Sequence, residues 1–208
     1  MNNELQKISG IQPSVVQNAE RSIYIENRDG GTVHLHCNNP RTDVTAEMMM
    51  AIQSFSKDYY QLIVTGQDIF TSNSIVVTTE CALSKGIVPP ELLRTHSVLT
   101  DDAIKRMRLL PAIICNANTD YYGRTDSNQQ VLYAYIKGIR KCGKEIMIYF
   151  QTISSFSQRT LNACAMHFGI NVECAKTDLN KFLWYIKKIN LFEAFHEAHV
   201  EPFPSYLK

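Results

Sequence analysis

A predicted β-hairpin restricts the fold of this chain more than any other sequence feature. Residues 131–153, VLYAYIKGIRKCGKEIMIYFQTI, form two runs rich in β-branched and aromatic residues on either side of a turn at residues 141–144. The other elements do not alternate regularly between strand and helix, which disfavours a doubly wound parallel sheet. The sequence therefore predicts an α+β fold, with a mostly antiparallel sheet or small β-barrel flanked by helices.

The length and composition are those of a globular protein with one main domain. The chain has 208 residues, of which 45% are hydrophobic, and this is enough to bury a substantial core. Its 21 Lys+Arg nearly balance its 20 Asp+Glu, so no overall charge attracts nucleic acid or an anionic membrane. No apolar run approaches the roughly 18 residues of a spanning helix, and the first 20 residues lack a signal peptide's apolar stretch. We expect a cytoplasmic protein without membrane contact.

Residues 1–40 are predicted to form an N-terminal lead and a second β-hairpin. In SIYIENRDGGTVHLHC, residues 22–37, alternating apolar residues flank the turn signal Asp29-Gly30-Gly31. Because a lone hairpin is marginally stable in water, this one must pack against the main body or against another copy of the protein. A homo-oligomer formed through the hairpin is one expectation. Residues 41–208 are predicted to form a single α+β domain.

The remaining elements follow from hydrophobic periodicity and helix-capping signals. Helices are predicted at residues 45–60, 100–110, 155–168 and 191–199, and strands at residues 61–66, 72–84, 111–115 and 182–189. A capping box is expected at Ser155 and Gln158, and another at Asn190 and Glu193. An alternative is a single helix over residues 179–199, which would replace the last strand and the last helix.

Several enzyme classes lack their sequence signature. The chain contains no GxGxxG after a strand, no GxxxxGK[ST] and no GxSxG, so we predict no nucleotide cofactor and no ordinary α/β-hydrolase site. None of the six cysteines forms a CxxC pair, and most are expected to be reduced core residues. Cys142, in the turn of the long hairpin, is the expected exposed exception. We predict neither a catalytic thiol nor a cofactor.

The polar segment NANTDYYGRTDSNQQ, residues 116–130, is the main candidate for a functional site. A connection of this length between buried strands is often functional, and Gly123 is suited to a positive φ in a turn. We predict that Tyr121 and Tyr122 anchor a ligand or partner, that Arg124 binds anionic groups and that Asp126 orients Arg124. The structural alternative is that Arg124 pairs with an aspartate, the tyrosines cover the sheet edge and the loop is only a lid.

A group of basic residues marks the turn of the long hairpin. Lys137, Arg140, Lys141 and Lys144 lie at or near the predicted tip, and a cationic β-ribbon can contact phosphates. The aromatic residues that a stacking platform requires are not interleaved with them. Nucleic-acid contact is therefore a minority hypothesis.

Two histidine pairs are the starting point for a metal hypothesis. His34 and His36 share one face of a predicted strand, and His196 and His199 lie three residues apart on a predicted helix. The segment HEAH is one residue shorter than the HExxH pattern of zinc proteases, so no metal site is predicted. Whether the two pairs meet in space is left open by the sequence.

Acidic residues near lysines suggest a second chemistry. A phosphodiesterase needs acidic metal ligands and usually a lysine near the scissile phosphate. Glu80 with Lys85 and Glu173 with Lys176 are the candidates, although neither spacing sets the two side chains together on one strand face.

The front segment IYIENRDGGTVHLHC, residues 23–37, resembles short β-hairpins that precede bacterial antiphage-defence and effector-associated proteins. The body, from LPAIICNANTDYYGRTDSNQQVLYAYIKGIRKCGKEIMIYFQ to WYIKKINLFEAFHEA, is similar in style to small accessory domains of that kind. The resemblance implies a bacterial defence context. It carries no catalytic motif, and so it implies no active-site residue.

These observations lead to one preferred hypothesis and two alternatives. The preferred one is a non-enzymatic cytoplasmic recognition or regulatory protein that binds a protein partner or a small anionic ligand through residues 116–130. The first alternative is a metal-dependent hydrolase or nuclease acting on phosphodiesters, with the histidine pairs or Glu80 and Glu173 as its functional residues. The second is a structural subunit that pairs through the N-terminal hairpin.

Overall fold

The computed structural model describes residues 16–18, 21–23, 46–83 and 99–202. The chain divides into two compact units, Met1–Arg41 and Thr42–Lys208. In the first unit, β1 (Val16–Asn18) and β2 (Arg21–Ile23) form a short antiparallel pair. The hairpin that we predicted at residues 22–37 lies almost entirely outside the described residues and stays a prediction.

The second unit is an α+β domain built on a six-stranded mixed sheet. The sheet contains β3 (Tyr60–Thr65), β4 (Ser74–Thr78), β5 (Ala112–Asn116), β6 (Gln130–Cys142), β7 (Glu145–Ser157) and β10 (Leu183–Lys187). A separate two-stranded ladder consists of β8 (Val172–Glu173) and β9 (Lys176–Thr177). The helices among the described residues are α1 (Ala46–Gln53), α2 (Asp101–Met107), α3 (Gln158–Ala163), α4 (Leu191–Glu197) and a 3₁₀ turn at Asp178–Asn180.

The sheet is curled, and its strand order is β10-β3-β5-β6-β7-β4. Four of these pairings are antiparallel, and the pairing of β3 with β5 is parallel. The residues that follow β4 reach the opposite edge of the sheet: Leu83 N donates to Trp184 O at 2.9 Å, and Trp184 N donates to Cys81 O at 2.9 Å. The domain is therefore α+β, as the sequence predicts, with a sheet curled into a half-barrel.

Both faces of the sheet are buried by helices. Leu62 and Val64 face a core that includes residues of α1, α3 and α4, whereas Ile63 between them faces a second core that includes residues of α2. Alternate residues of a strand point to opposite faces, so a strand buried on both sides consists of consecutive apolar residues. This is why the central strands were recognisable as short apolar runs. Of the helices that the structure describes, none is long and apolar enough to cross a membrane.

The long hairpin of β6 and β7 is confirmed, and each of its strands has 13 residues. The turn is tighter than the sequence suggested, because Cys142 still pairs with Glu145 and Gly143 adopts a φ of +61°. Register shifts between Tyr133 and Ala134 and between Ile136 and Gly138 interrupt the pairing. Such bulges increase the local twist, which suits a sheet that curls.

Several predicted boundaries are wrong. The helix predicted at residues 45–60 ends at Gln53. Tyr60, which we placed at the end of that helix, is instead the first residue of β3. The capping box predicted at Ser155 does not form: β7 continues to Ser157, whose Oγ accepts from Arg159 N and caps α3. In the predicted strand at residues 72–84, only Ser74–Thr78 is regular strand.

Other capping signals are confirmed. Thr100 caps α2 by accepting from Ala103 N at 3.2 Å. Of the box predicted at Asn190 and Glu193, the cap is present: Asn190 accepts from Phe192 N at 3.1 Å at the start of α4. The strand predicted before α4 is present as β10, so the alternative of one helix over residues 179–199 is wrong.

Side chains close the outer edge of β4. Val76 O accepts from Gln67 Nε2 at 2.6 Å, and Val76 N donates to Gln67 Oε1 at 3.0 Å. Ser72 Oγ donates to Ser74 O at 2.7 Å and accepts from Ser74 N at 3.1 Å. These groups would otherwise be a template for another strand, so the local side chains protect the edge from pairing with a second chain.

Candidate functional site

Residues 117–129 connect β5 to β6 and form an ordered loop. Gln129 closes the loop at its base, because its Nε2 donates to Ala117 O at 3.0 Å and its Oε1 accepts from Thr125 Oγ1 and from Asp126 N. At the other end of the loop, Asn118 N donates to Leu179 O at 2.8 Å. The loop is thus fixed to its own base and to the segment that precedes β10.

A buried network of amide side chains supports the loop from below. Gln158 is fully buried, and its Nε2 donates to Asn116 O at 2.8 Å and to Asn118 Oδ1 at 3.0 Å. The Asn118 and Asn162 amides donate to each other's oxygens, both at 2.9 Å, and Asn118 also donates to Thr177 Oγ1 at 3.3 Å. Sequence reasoning missed this network, because its hydrogen bonds that involve Asn118 join residues that are 40 or more positions apart.

Residues Tyr121–Arg124 form a tight turn at the tip of the loop, which we call the tyrosine turn. Tyr122 and Gly123 have φ angles of +58° and +67°, and Arg124 N donates to Tyr121 O at 3.2 Å, as in a type I′ turn. Tyr122 N donates to Ala175 O at 2.6 Å, which ties the turn to the β8–β9 ladder. The predicted positive φ of Gly123 is confirmed, and the tyrosine turn has a fixed backbone.

Both tyrosine side chains are exposed. The exposed fraction is 48% for Tyr121 and 76% for Tyr122, so the tyrosines do not cover the sheet edge as the structural alternative requires. Lys176 Nζ lies 5.3 Å from the centroid of the Tyr121 ring, within the range of a cation–π contact. The turn therefore presents two aromatic surfaces to solvent on a rigid support.

The structure pairs Arg124 with Asp120. Arg124 Nη1 lies 3.8 Å from Asp120 Oδ2, and the side chains are 73% and 57% exposed, so the pair contributes little to stability. Among the described contacts, Arg124 therefore pairs with Asp120 and not with Asp126, and pairing with an aspartate is what the structural alternative predicts. Asp126 is exposed, and its main chain forms a turn with Gln129 through a hydrogen bond from Gln129 N to Asp126 O.

A pocket of about 280 Å³ lies between the tyrosine turn and residues 171–181. Tyr121 forms one wall, Asp178 is part of its buried lining, and Glu173, Lys176 and Lys181 are exposed at its surface. Asn180 and Lys181 bring the segment that precedes β10 into the same pocket. The predicted recognition loop is therefore only one side of a larger site.

A buried ion pair lies next to this pocket. Asp178 Oδ2 accepts from Lys187 Nζ at 2.7 Å and from Asn171 N at 3.0 Å, and both charged side chains are only 9% exposed. Lys187 Nζ also lies 5.4 Å from the centroid of the Tyr185 ring. Burial, together with the negative charge of Asp178, raises the pKa of Tyr185. Sequence patterns gave no sign that Asp178 and Lys187 would meet.

The segment Thr177–Asn180 positions Asp178 by local hydrogen bonds. Thr177 Oγ1 accepts from Leu179 N, while Thr177 N donates to Asn180 Oδ1 at 2.8 Å, and together they form a capping box. Asn180 Nδ2 in turn donates to Asp120 O at 2.9 Å. The same short segment therefore holds both the pocket carboxylate and the base of the tyrosine turn.

The basic residues of the long hairpin are distributed over both of its faces. Arg140 pairs with Met147 and Lys141 with Ile146, and neighbouring residues of a strand point to opposite sides. Lys137 Nζ lies 3.4 Å from Glu47 Oε2 on α1, and Lys144 is exposed at the turn. The hairpin tip thus does not present all four cations on one face.

Of the residues of the metal and hydrolase hypotheses, the structure brings together Glu173 and Lys176, which are partners in the β8–β9 ladder and both line the pocket beside the tyrosine turn. Glu80 and Glu173 are exposed, as are His196 and His199 on or just after α4, and residues 46–83 and 99–202 contain no group of three His, Cys, Asp or Glu that could hold a metal. His34, His36 and Lys85 lie outside the described residues.

The cysteines of the described residues differ in their exposure. Cys115 is fully buried, and burial raises the pKa of its thiol to about 12, while Cys81 and Cys164 are half-buried. Cys142 is exposed, as predicted, and so is Cys174 at the turn of the β8–β9 ladder.

Comparison with known proteins gives no guide to this site, because no protein-family model, curated protein or solved structure matches the chain.

Proposed function

We propose that the protein is a non-enzymatic recognition protein that binds a protein partner through the tyrosine turn. The observation that carries this proposal is the 76% exposure of Tyr122 on a backbone fixed by the hydrogen bond to Ala175. An exposed aromatic side chain on a rigid support loses little conformational entropy when it enters a partner's pocket.

The backbone conformation of Tyr122 supports the same conclusion. A residue other than glycine at a φ of +58° has a strain of roughly 1 kcal/mol, and such strain persists where the surroundings enforce it. Here Gly123 and the contact with Ala175 enforce it. The turn directs the Tyr122 side chain into solvent. There, a contact with a partner is what would compensate for the backbone strain.

Arg124 adds a polar contact beside the two rings. Its pair with Asp120 is exposed and long, so a carboxylate of the partner can replace Asp120 at small cost. The planar guanidinium favours paired hydrogen bonds to such a carboxylate. The partner surface that fits this site has an apolar pocket for Tyr122 and an acidic side chain next to it.

The wider context of the protein stays a prediction from the sequence. This holds for the cytoplasmic location, for the role in bacterial antiphage defence and for an oligomer formed through the N-terminal hairpin.

Site-specific photo-crosslinking tests this proposal. A benzophenone amino acid replaces Tyr122 in protein produced in its own host, and a second protein carries it at Tyr149, a tyrosine of β7 that is 38% exposed. We expect a discrete crosslinked protein from position 122 that is missing from position 149. Identical crosslinks at both positions, or none at position 122, would contradict the proposal.

A further inference from the structure

Two lysines at the pocket beside the tyrosine turn have no charged partner among the described residues. Lys176 and Lys181 are exposed, and in the part of the chain that the structure describes neither ammonium lies within 4.0 Å of a carboxylate. Both line the pocket of about 280 Å³, where they outnumber the single exposed carboxylate of the described lining, that of Glu173. Two cations at a concave surface attract an anionic group, and a phosphate accepts hydrogen bonds from several ammonium groups at once.

Tyr121 gives the same pocket a flat aromatic wall. Its ring lines the pocket, is 48% exposed and has Lys176 Nζ at 5.3 Å from its centroid. A ligand that fits both features has a planar ring to stack on Tyr121 and an anionic group for the lysines. The volume is near the lower end of small-molecule sites, which favours one ring system with one phosphate.

The buried carboxylate of Asp178 has acceptor capacity left for a ligand. Its Oδ2 accepts from Lys187 and from Asn171 N, whereas Oδ1 has only a long contact of 3.5 Å from Asn171 Nδ2. A carboxylate oxygen can accept two hydrogen bonds, and an amino group on a planar ring is a suitable donor. This favours adenine, guanine or cytosine over uracil, whose N3–H donor lies between two carbonyl oxygens that a carboxylate repels.

We propose that this pocket binds a nucleoside monophosphate whose base carries an amino group. The base stacks on Tyr121 and donates to Asp178, and the phosphate binds Lys176 and Lys181. The inference deepens the proposed function and rests on it, since Tyr121 belongs to both sites. The protein would then join recognition of a partner to the binding of a nucleotide at the adjacent pocket.

Isothermal titration calorimetry on the full chain tests the ligand chemistry. The probes are AMP, CMP, UMP, adenosine and inorganic phosphate. We expect AMP and CMP to bind at least about tenfold more tightly than UMP, adenosine or phosphate, since UMP lacks the amino group, adenosine lacks the phosphate and inorganic phosphate lacks both contacts of the base. Equal affinity for phosphate and AMP would reduce the site to an anion site and overturn the proposal, as would the absence of any binding.

Variants of the lining residues test whether AMP binds in this pocket. Lys176→Met and Lys181→Met should each weaken AMP about tenfold, and Tyr121→Leu should do the same through loss of stacking. Lys105→Met, which changes an exposed lysine of α2, is the control and should leave AMP binding unchanged. Circular dichroism confirms that each variant is folded. AMP binding that is unaffected in both pocket-lysine variants would overturn the assignment.

Tyr122→Ala distinguishes the two proposals. It lies outside the pocket lining, so it should remove partner binding and leave the AMP affinity unchanged. If Tyr122→Ala removes partner binding but the wild-type protein does not bind AMP, only the nucleotide site is overturned. If AMP binding depends on the two lysines but Tyr122→Ala leaves partner binding unchanged, only the partner site is overturned.

Discussion

The buried ion pair of Asp178 and Lys187 gives the sharpest stability prediction. The perturbation is Asp178→Asn, which keeps the shape of the side chain and its hydrogen bond from Asn171 N but leaves the Lys187 ammonium without a counter-charge. The two groups lie 2.7 Å apart and are 9% exposed, so water cannot replace the lost partner. The converse change, Lys187→Met, leaves the Asp178 carboxylate unpaired.

The expected magnitude follows from the burial of the pair. Removing one partner of a buried ion pair costs about 3–5 kcal/mol. The remaining exposure and the hydrogen bond from Asn171 place each single variant at the lower end, about 3 kcal/mol. For a domain of this size that is a decrease in Tm of about 6–12 °C. The double variant has no unpaired charge and should be no less stable than either single variant.

Thermal and urea unfolding followed by circular dichroism measure these changes in a double-mutant cycle. Lys105→Met is the control, because Lys105 and Asp102 are 3.8 Å apart and mostly exposed, and it should change stability by less than about 0.5 kcal/mol. Single-variant losses within about 1 kcal/mol of the control, or a double variant whose loss equals the sum of the single losses, would refute the reasoning.

Two further predictions concern the sheet edge and the thiols. Gln67→Ala frees the N–H and C=O of Val76 at the edge of β4. At equal concentration, light scattering should therefore show a larger mean mass for the variant than for the wild type, because the open edge can pair with another chain. Equal masses would contradict the edge-closing role of Gln67. Iodoacetamide at pH 8 should modify Cys142 and Cys174 but not Cys115, because the Cys115 thiolate forms only as the pH approaches about 12. Peptide mass mapping identifies the labelled cysteines. Labelling of Cys115 in the folded protein would contradict its burial.

The parts of the fold that depend on local patterns were predictable from the sequence. The 13-residue strands of the long hairpin, the cap at Thr100 and the strand β10 all follow from periodicity or from a single capping residue. Tertiary pairing overrode local signals elsewhere. Ser155 has the sequence of a helix cap, but it pairs with Leu132 as part of β7, and the ladder extends through Ser157.

The candidate site was only half accessible to sequence reasoning. The length and composition of residues 116–130 indicated a functional loop, and the positive φ of Gly123 was expected. The sequence offered Lys176 only as a hydrolase candidate with Glu173, and it indicated neither Lys181 nor the pair of Asp178 and Lys187 as part of this site, because these residues come from a segment about 50 or more residues further along the chain. Their proximity to the loop results from the pairing of β10 with β3, which no local pattern encodes.

The central claim is that the tyrosine turn binds a protein partner. Calorimetry with the partner identified by crosslinking at position 122 compares Tyr122→Ala with Tyr149→Ala, since both replace an exposed tyrosine. The proposal predicts that Tyr122→Ala raises the Kd by more than about tenfold and that Tyr149→Ala leaves it unchanged. A folded Tyr122→Ala variant with the wild-type Kd would contradict it.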